Sequence, residues 1–247
     1  MNVVDGLSCR SWRRSGKPHA GAAVVTNREG GQRVPGRFRS TMRQGVVRCS
    51  IRCVPLRGAD EPLVLRPRRI LVTGTSGSGK SSLARAIAAV LDVPYHELDG
   101  LHWGPGWTPR PDFADDVKRL AGTDSWVTEW QYGDLRPLLL ARADTLVWLD
   151  HTRAVTMWRA ARRTYVRRRR RVELWHGNVE PPFRTILIDP DHVLRWAWRS
   201  YPNAARRVAD VLNSPDGRRV DVIRLRGQSQ VDGWLAGLRL RYATAPW

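Results

Sequence analysis

One short run constrains this chain more than any other segment. Gly74-Thr75-Ser76-Gly77-Ser78-Gly79-Lys80-Ser81 sits directly after the apolar stretch Ile70-Leu71-Val72 and directly before Leu83-Ala84-Arg85-Ala86-Ile87-Ala88. Read as G-x-x-x-x-G-K-S between a strand and a helix, it has the spacing of a P-loop, which cradles nucleotide phosphates. The glycines let the backbone enter positive φ and turn successive N–H groups into one concave nest, and the following helix adds its N-terminal dipole. Gly74, Thr75, Ser76, Gly77, Ser78, Gly79, Lys80, Ser81 and Ser82 are therefore assigned to nucleotide binding. Lys80 is expected to reach the β/γ oxygens, and the Ser81 hydroxyl to serve Mg²⁺. Lys17, Lys80 and Lys118 are the only lysines in the chain, and one of them falls where the motif needs it. The motif fixes a ligand class and leaves the reaction open.

Composition narrows the setting. With 42% apolar residues and 12 tryptophans among 247, the chain has ample material for a core. No apolar run approaches the roughly 20 residues of a membrane span, so no membrane partner is expected. The N-terminal apolar patch Ala22-Ala23-Val24-Val25 is shorter than the roughly 7–15 residues of a signal-peptide core. Cys9, Cys49 and Cys53 all precede the P-loop without metal-site spacing. So sparse a set fits a reducing compartment, and a cytoplasmic monomer is expected. The formal charge of +19 is compatible with binding nucleic acid. A GC-rich coding sequence, favouring arginine over lysine, and the needs of a phosphate site weaken that inference, and nucleic acid is not the favoured partner.

Residues 1–65 are rich in Arg, Gly, Ser and Val, poor in acids and without periodicity, and read as a disordered basic tail. Two alternatives stand beside this: an over-extended reading frame with Met42 as the true start, or a basic arm for nucleic acid. Residues 66–247 alternate strand and helix, the pattern of a parallel sheet covered on both faces. Expected strands are Ile70–Thr73, Pro94–Leu98, Trp126–Glu129, Thr145–Leu149 and Val220–Leu225. Asp134 is expected to cap the helix containing Leu135, Leu138 and Leu139, and Thr152 to cap a long helix with Val155, Trp158, Tyr165 and Val172 on one seam. Asp189-Pro190 reads as the start of a second long helix, which Pro202 should kink or interrupt.

In open parallel sheets ligands bind beyond the carboxyl ends of the strands, and there the chain places Asp99, Glu129 and Asp150. Glu129 is the first choice for a carboxylate assisting Mg²⁺ together with Ser81, since its strand should lie beside the P-loop strand; Asp150 competes. Asp99 lies in the glycine-hinged turn Glu97-Leu98-Asp99-Gly100-Leu101-His102-Trp103, where a carboxylate can orient or deprotonate an acceptor hydroxyl. His102 reads equally as a site residue or a structural one, and Trp103 and Trp107 as core more than stacking platform. Arg159, Arg163, Arg167 and Arg170 share one helical face. Arg159 and Arg163, nearest the strand end, are taken as catalytic cations of an arginine-rich helical lid over residues 152–190. Arg167–Arg171 read more simply as a solvated basic face.

Beyond the Walker motif, the runs Glu97–Trp107, Trp126–Tyr132, Arg142-Ala143-Asp144 with Val147–Asp150, Arg159 with Arg162-Arg163-Thr164, Leu174–Glu180 and Trp196–Arg199 resemble P-loop kinases of the adenylate kinase type. More narrowly they are similar to a bacterial group labelled DNA topology modulation protein or adenylate-kinase-like ATP-binding protein. The resemblance spans about residues 68–240 and implies the three-layer α/β P-loop fold, with a five-stranded parallel sheet, helices on both faces and the arginine lid. It implies ATP and Mg²⁺ as cofactors and a kinase in which Lys80, Asp99, Glu129, Arg159 and Arg163 act on a small hydroxylated or nucleotide acceptor. Where many relatives carry Asp-Gly-Asn-Tyr after the third strand, this chain has Glu129-Trp130-Gln131-Tyr132, and a Trp in place of Gly argues against a nucleoside monophosphate seated as in adenylate kinase. The turn from Asp99 to His102 is similar to the Asp-x-Leu-His element of gluconate-type kinases. Two other readings remain: an ATP-dependent nucleic-acid-binding or topology modulation protein, and a polynucleotide 5′-hydroxyl kinase.

Overall fold

A computed structural model describes residues 56–242, apart from 62, 64, 183, 184 and 186–191. The expected tail up to residue 55, with all three cysteines and Met42, and the Asp189-Pro190 cap lie outside the described residues. Short apolar runs, buried at nearly every position of the inner strands, build the sheet. Ile70 and Val72 face one side and Leu71 the other, and Val147/Leu149 against Leu146/Trp148 repeat the alternation on a neighbouring strand. Strands buried on both faces need apolar residues at every position, which explains why these runs are continuous.

The strands are β1 (Leu56–Arg57), β2 (Arg69–Gly74), β3 (Tyr95–His96), β4 (Trp126–Glu129), β5 (Thr145–Leu149) and β6 (Asp221–Leu225), in spatial order β1-β6-β5-β2-β4-β3, all pairs parallel. The fold is the three-layer α/β arrangement expected, with six strands instead of five. The additional strand, Leu56–Arg57, comes from the stretch read as tail. It is held by backbone pairing to Val222 and Ile223 and by Arg57 on Asp221 at 3.2 Å, signals that a two-residue strand does not carry in its own periodicity. The helices are α1 (Lys80–Leu91), α2 (Leu98–His102), α3 (Phe113–Gly122), α4 (Arg136–Arg142), α5 (Arg153–Arg169), α6 (Val193–Asn213) and α7 (Gly227–Tyr242). Leu83, Ile87 and Leu91 of α1 and Val231, Trp234 and Leu238 of α7 cover one face. Phe113, Val117 and Leu120 of α3, Leu139 and Leu140 of α4, and Val208 and Val211 of α6 cover the other. Truncating a fully buried strand residue such as Leu71 or Leu146 to Ala should cost about 2–5 kcal/mol.

Four local expectations are corrected. The second strand is only Tyr95–His96, because Leu98 opens α2 and carries Asp99 into the first turn of a helix. Asp134 caps nothing: it lies in the short turn Gly133–Leu135, and no side chain caps α4. Helix α6 is not interrupted at Pro202, which lies inside it, and its buried stripe of Ala197, Ser200, Ala204, Val208 and Val211 runs through both halves. Its first turn is capped by His192, whose Nδ1 accepts from the Leu194 N–H at 3.3 Å.

The α5 seam is reversed. Thr152 does cap the helix, its Oγ1 accepting from the Val155 N–H at 3.5 Å. Yet Val155, Trp158 and Tyr165 face solvent, 40%, 62% and 55% exposed, while Thr156, Ala160 and Thr164 are buried. The inward face meets the P-loop backbone, where only small side chains allow close approach. The outward aromatics are covered in part by arginine, with Arg162 over Trp158 at 5.6 Å from the ring centroid.

Candidate functional site

Sheet register places the P-loop at the carboxyl end of the inner strand β2, flanked by Glu129 of β4 and Asp150 just past β5. In the loop the Ser78 N–H donates to the Thr75 carbonyl at 3.1 Å and Leu83 N–H to the Gly79 carbonyl at 2.9 Å, closing the turn into α1. Gly77 and Gly79 sit at φ 81° and 95°. Gly77 is required twice over, since a Cβ there would lie 2.2 Å from the Thr156 carbonyl oxygen of α5. At Gly79 no atom lies within 4 Å of a Cβ position, so only its backbone conformation demands glycine and the surface beside it stays open. Lys80 Nζ donates to the Thr75 carbonyl at 3.3 Å, Ser81 is half-buried and Ser82 exposed on the first turn of α1.

Burial lowers the pKa of Lys80, opposed by the negative charges of Asp99 and Glu129 and assisted by Arg163 and Arg207. Those four groups thus surround the lysine electrostatically. Glu129 is 2% exposed; its Oε1 accepts from the Tyr95 hydroxyl at 2.7 Å, and its Oε2 is buried with no partner. A buried carboxylate oxygen without a donor is costly. Beside a phosphate-binding loop it fits a Mg²⁺ shell shared with Ser81, the hard oxygen donors that this ion takes. Asp150, the competing candidate, is instead bound by Arg224, at 2.8 Å from Nε and 2.5 Å from Nη2, with Arg226 at 3.5 Å.

Asp99 Oδ1 accepts from the Tyr132 hydroxyl at 2.6 Å and from Gln131 Nε2 at 2.9 Å, which leaves Oδ2 for a substrate hydroxyl. Tyr132 holds this geometry at φ 61°, ψ 97°, a strained conformation for a non-glycine residue and of the kind that clusters at functional sites. Burial, and then Asp99, push its phenol pKa well above the ordinary value, so it remains a donor. His102 is packed among Trp103, Phe113 and Tyr132, with ring centroids 4.5, 4.7 and 4.5 Å away, and its buried Nδ1 has no partner. It packs against the Tyr132 ring that holds Asp99. Trp103 and Trp107 meet edge to face at 5.7 Å, with Trp175 at 6.2 Å beyond, in a row along the loop after α2. Trp130 is 6% exposed and packed in the α4 core, its indole N–H donating to the Arg136 carbonyl at 3.1 Å. The bulk thought to stand in the way of a nucleotide acceptor is therefore folded away from the site.

The four arginines expected on one face part company. Arg163 Nη2 donates to Ser76 Oγ of the P-loop at 3.2 Å, and burial, followed by neighbouring Arg167, depresses its pKa. Arg167 Nη1 binds Glu180 at 3.2 Å, so it is an engaged inward residue and not part of a solvated face. Arg159 leans the other way, Nη2 donating to Gln228 of α7 at 2.9 Å. Arg170 ends the helix.

Tyr95, Gln131, Tyr132, Glu180 and Arg207 were given no role of their own from the sequence, and each meets its neighbours here only through tertiary packing. Arg207 of α6 carries a buried Nε with no partner and is depressed in pKa by burial and by Arg136. One signal was available: Ala204, Arg207, Val208 and Val211 fall on one helical stripe, so an arginine stands among core positions.

No family model matches the chain, and no curated protein matches it. Among solved structures it is similar to a gluconokinase from Sinorhizobium meliloti 1021, at 23% identity over 71% of this chain and 94% of the other, TM-score 0.41. It is also similar to shikimate kinases from Bacteroides thetaiotaomicron, at 17% over 71% and 98%, TM-score 0.41, and from Aquifex aeolicus vf5, at 14% over 70% and 94%, TM-score 0.38. Among the described residues, no helix is long and apolar enough to cross a membrane.

Proposed function

We propose that this protein is an ATP-dependent phosphotransferase that moves the γ-phosphate of ATP to the hydroxyl of a small acceptor. The observation that carries the reading is Asp99, one carboxylate oxygen held by Tyr132 and Gln131 and the other free, in a fold whose β2 runs directly into a glycine-shaped loop ending in Lys80. Phosphoryl transfer asks the protein mainly for positioning and charge compensation. The P-loop amides and Lys80 would hold the nucleotide phosphates, and Ser81 and Glu129 would hold Mg²⁺, whose charge offsets that of the phosphates when bound. Asp99 would orient the acceptor hydroxyl and take its proton. Arg163 would leave Ser76 for the transferring group, with Arg159 at the nucleotide edge beside Gln228. Arg207, whose buried Nε has no partner among the described residues, favours an acceptor bearing a negative group.

The test is transfer of labelled γ-phosphate from ATP across a panel of nucleosides, nucleoside monophosphates, polyhydroxy acids, sugars and 5′-hydroxyl oligonucleotides. Acceptor-dependent turnover with a small hydroxylated compound is expected. ATP binding without transfer to any member would sink the proposal, and turnover confined to oligonucleotides would replace it with a polynucleotide kinase.

A further inference from the structure

The chain builds the same seven-residue loop twice. In residues 103–109, Trp103 and Pro109 form an antiparallel bridge, Gly104 N–H donates to the Thr108 carbonyl at 2.7 Å, and Thr108 N–H to the Pro105 carbonyl at 3.4 Å. In residues 173–179, Glu173 and Val179 form the bridge, Leu174 N–H donates to the Asn178 carbonyl at 2.7 Å, and Asn178 N–H to the Trp175 carbonyl at 3.2 Å. The first loop follows α2, which carries Asp99; the second follows α5, which carries the arginines.

Asn178, 5% exposed, bolts them together. Its Oδ1 accepts from the Trp107 N–H at 3.0 Å, its Nδ2 donates to the Gly104 carbonyl at 2.8 Å, and the Trp107 indole donates to the Val179 carbonyl at 3.3 Å. Trp175 lies on α2, so close that a Cβ on Gly100 would fall 2.8 Å from its ring. The next residue along, Glu180, therefore has its backbone fixed by the loop that follows Asp99.

Glu180 is 7% exposed. Its Oε1 accepts from Arg167 Nη1 at 3.2 Å, its carbonyl from Arg168 Nη1 at 3.1 Å, and its Oε2 is buried with no partner. Arg163, one turn before Arg167 on α5, likewise has a buried Nε without a partner while its Nη2 holds Ser76. A buried carboxylate with one committed and one uncommitted oxygen thus stands against Arg167, one turn along α5 from the arginine that holds Ser76 of the P-loop.

We infer that Glu180 is a positioning residue that ties the acceptor-side loop to the lid arginines: Oε1 fixes Arg167, and Oε2 receives Arg163 when that guanidinium exchanges Ser76 for a phosphate oxygen. The inference rests on the phosphotransfer reading and adds to it the element through which the acceptor side sets arginine placement. Glu180 touches neither substrate, so it acts entirely through Arg163 and Arg167.

Glu180→Gln keeps the shape and removes the charge. Misplacing groups by about 1 Å costs about 10²-fold, and kcat should fall by about that much with ATP affinity, read by direct titration, unchanged. Glu180→Gln in an Arg163→Ala, Arg167→Ala background should add little, since the carboxylate works through those two arginines. Wild-type kcat in Glu180→Gln, or an undiminished further loss on adding it to that background, would overturn the inference. Should Glu180→Gln fail to melt cooperatively, Asn178→Ala releases the bolt with the carboxylate intact, and a kcat loss in the same direction is expected where wild-type turnover counts against the inference. Each comparison is also made on acceptor-free ATP hydrolysis. A chain that phosphorylates no acceptor then ends the phosphotransfer reading alone, and the Glu180 comparison is still decided by hydrolysis.

Discussion

The two halves of the candidate site are made of different material. The nucleotide half is a backbone object: three glycines, a turn and the start of α1 shape it, and its demands fall at fixed positions along eight consecutive residues, Gly74–Ser81. The acceptor half is a side-chain object, assembled from β3 (Tyr95), α2 (Asp99), the loop after β4 (Gln131 and Tyr132), α5 (Arg163 and Arg167), the loop after it (Glu180) and α6 (Arg207). A backbone site depends on local conformation, so its geometry is written in glycine spacing. A side-chain site depends on which elements meet, and each contributor is an ordinary residue in its own segment. On the phosphotransfer reading proposed above, the first half would fix a phosphate and the second would select what receives it.

The division can be broken most forcefully at the two ends of the reaction path. Lys80→Ala should lower turnover by about 10³-fold or more with native circular dichroism, since it removes the cation nearest the transferring charge. Asp99→Asn should lower transfer by about 10²–10⁴-fold while leaving ATP affinity unchanged. If Asp99→Asn weakened ATP binding instead, the two halves would not be separable. The lid sharpens the contrast further. Arg163→Ala should reduce kcat by about 10²-fold or more, and Arg159→Ala by about tenfold at most, because Arg163 meets Ser76 of the P-loop whereas Arg159 is committed to Gln228. Equal losses in steady-state kinetics would show that the lid rearranges to bring both to the phosphates.

Gly77→Ala tests whether the P-loop is also a packing surface. Its φ of 81° and the 2.2 Å approach to the Thr156 carbonyl both oppose a side chain. Destabilisation well above about 1 kcal/mol is expected in chemical denaturation, with the nucleotide half and the lid helix loosened together. The smallest effect is expected from protons. Burial lowers the pKa of His96, His102 and His151 below the ordinary 6.5. The folded state therefore favours neutral imidazole, and the stabilisation is complete above that value and lost as pH falls through and below it. Melting temperature should hold above about pH 7 and decline on acidification, and His102→Phe should make the decline shallower.

Much of the frame was legible. Strands at Ile70–Thr73 and Thr145–Leu149 follow from continuous apolar runs, Trp126–Glu129 was placed at its observed bounds, and β6 was placed to within one residue. Glu129 was preferred for Mg²⁺ because its strand should neighbour the P-loop strand, and β2–β4 pairing gives that adjacency. The α5 seam was not legible. Apolar periodicity assumes that a helix buries against apolar side chains, whereas α5 buries Thr156, Ala160 and Thr164 against the peptide backbone of the P-loop. The sixth strand escaped for a related reason: two residues, Leu56 and Arg57, have no period, and only pairing with β6 makes them a strand.

The sequence by itself determined the phosphate loop, the parallel α/β frame and the acids at the strand ends, because these rest on local backbone geometry and on burial period. Only the tertiary structure decided that Asp150 belongs to Arg224, that Arg163 and not Arg159 meets the P-loop, that Trp130 is turned into the core, and that Glu180 lies between the acceptor loop and the lid. Those outcomes are set by competition among charged and bulky side chains for a few partners, and which partners come within reach is a property of the packed elements and not of any one segment.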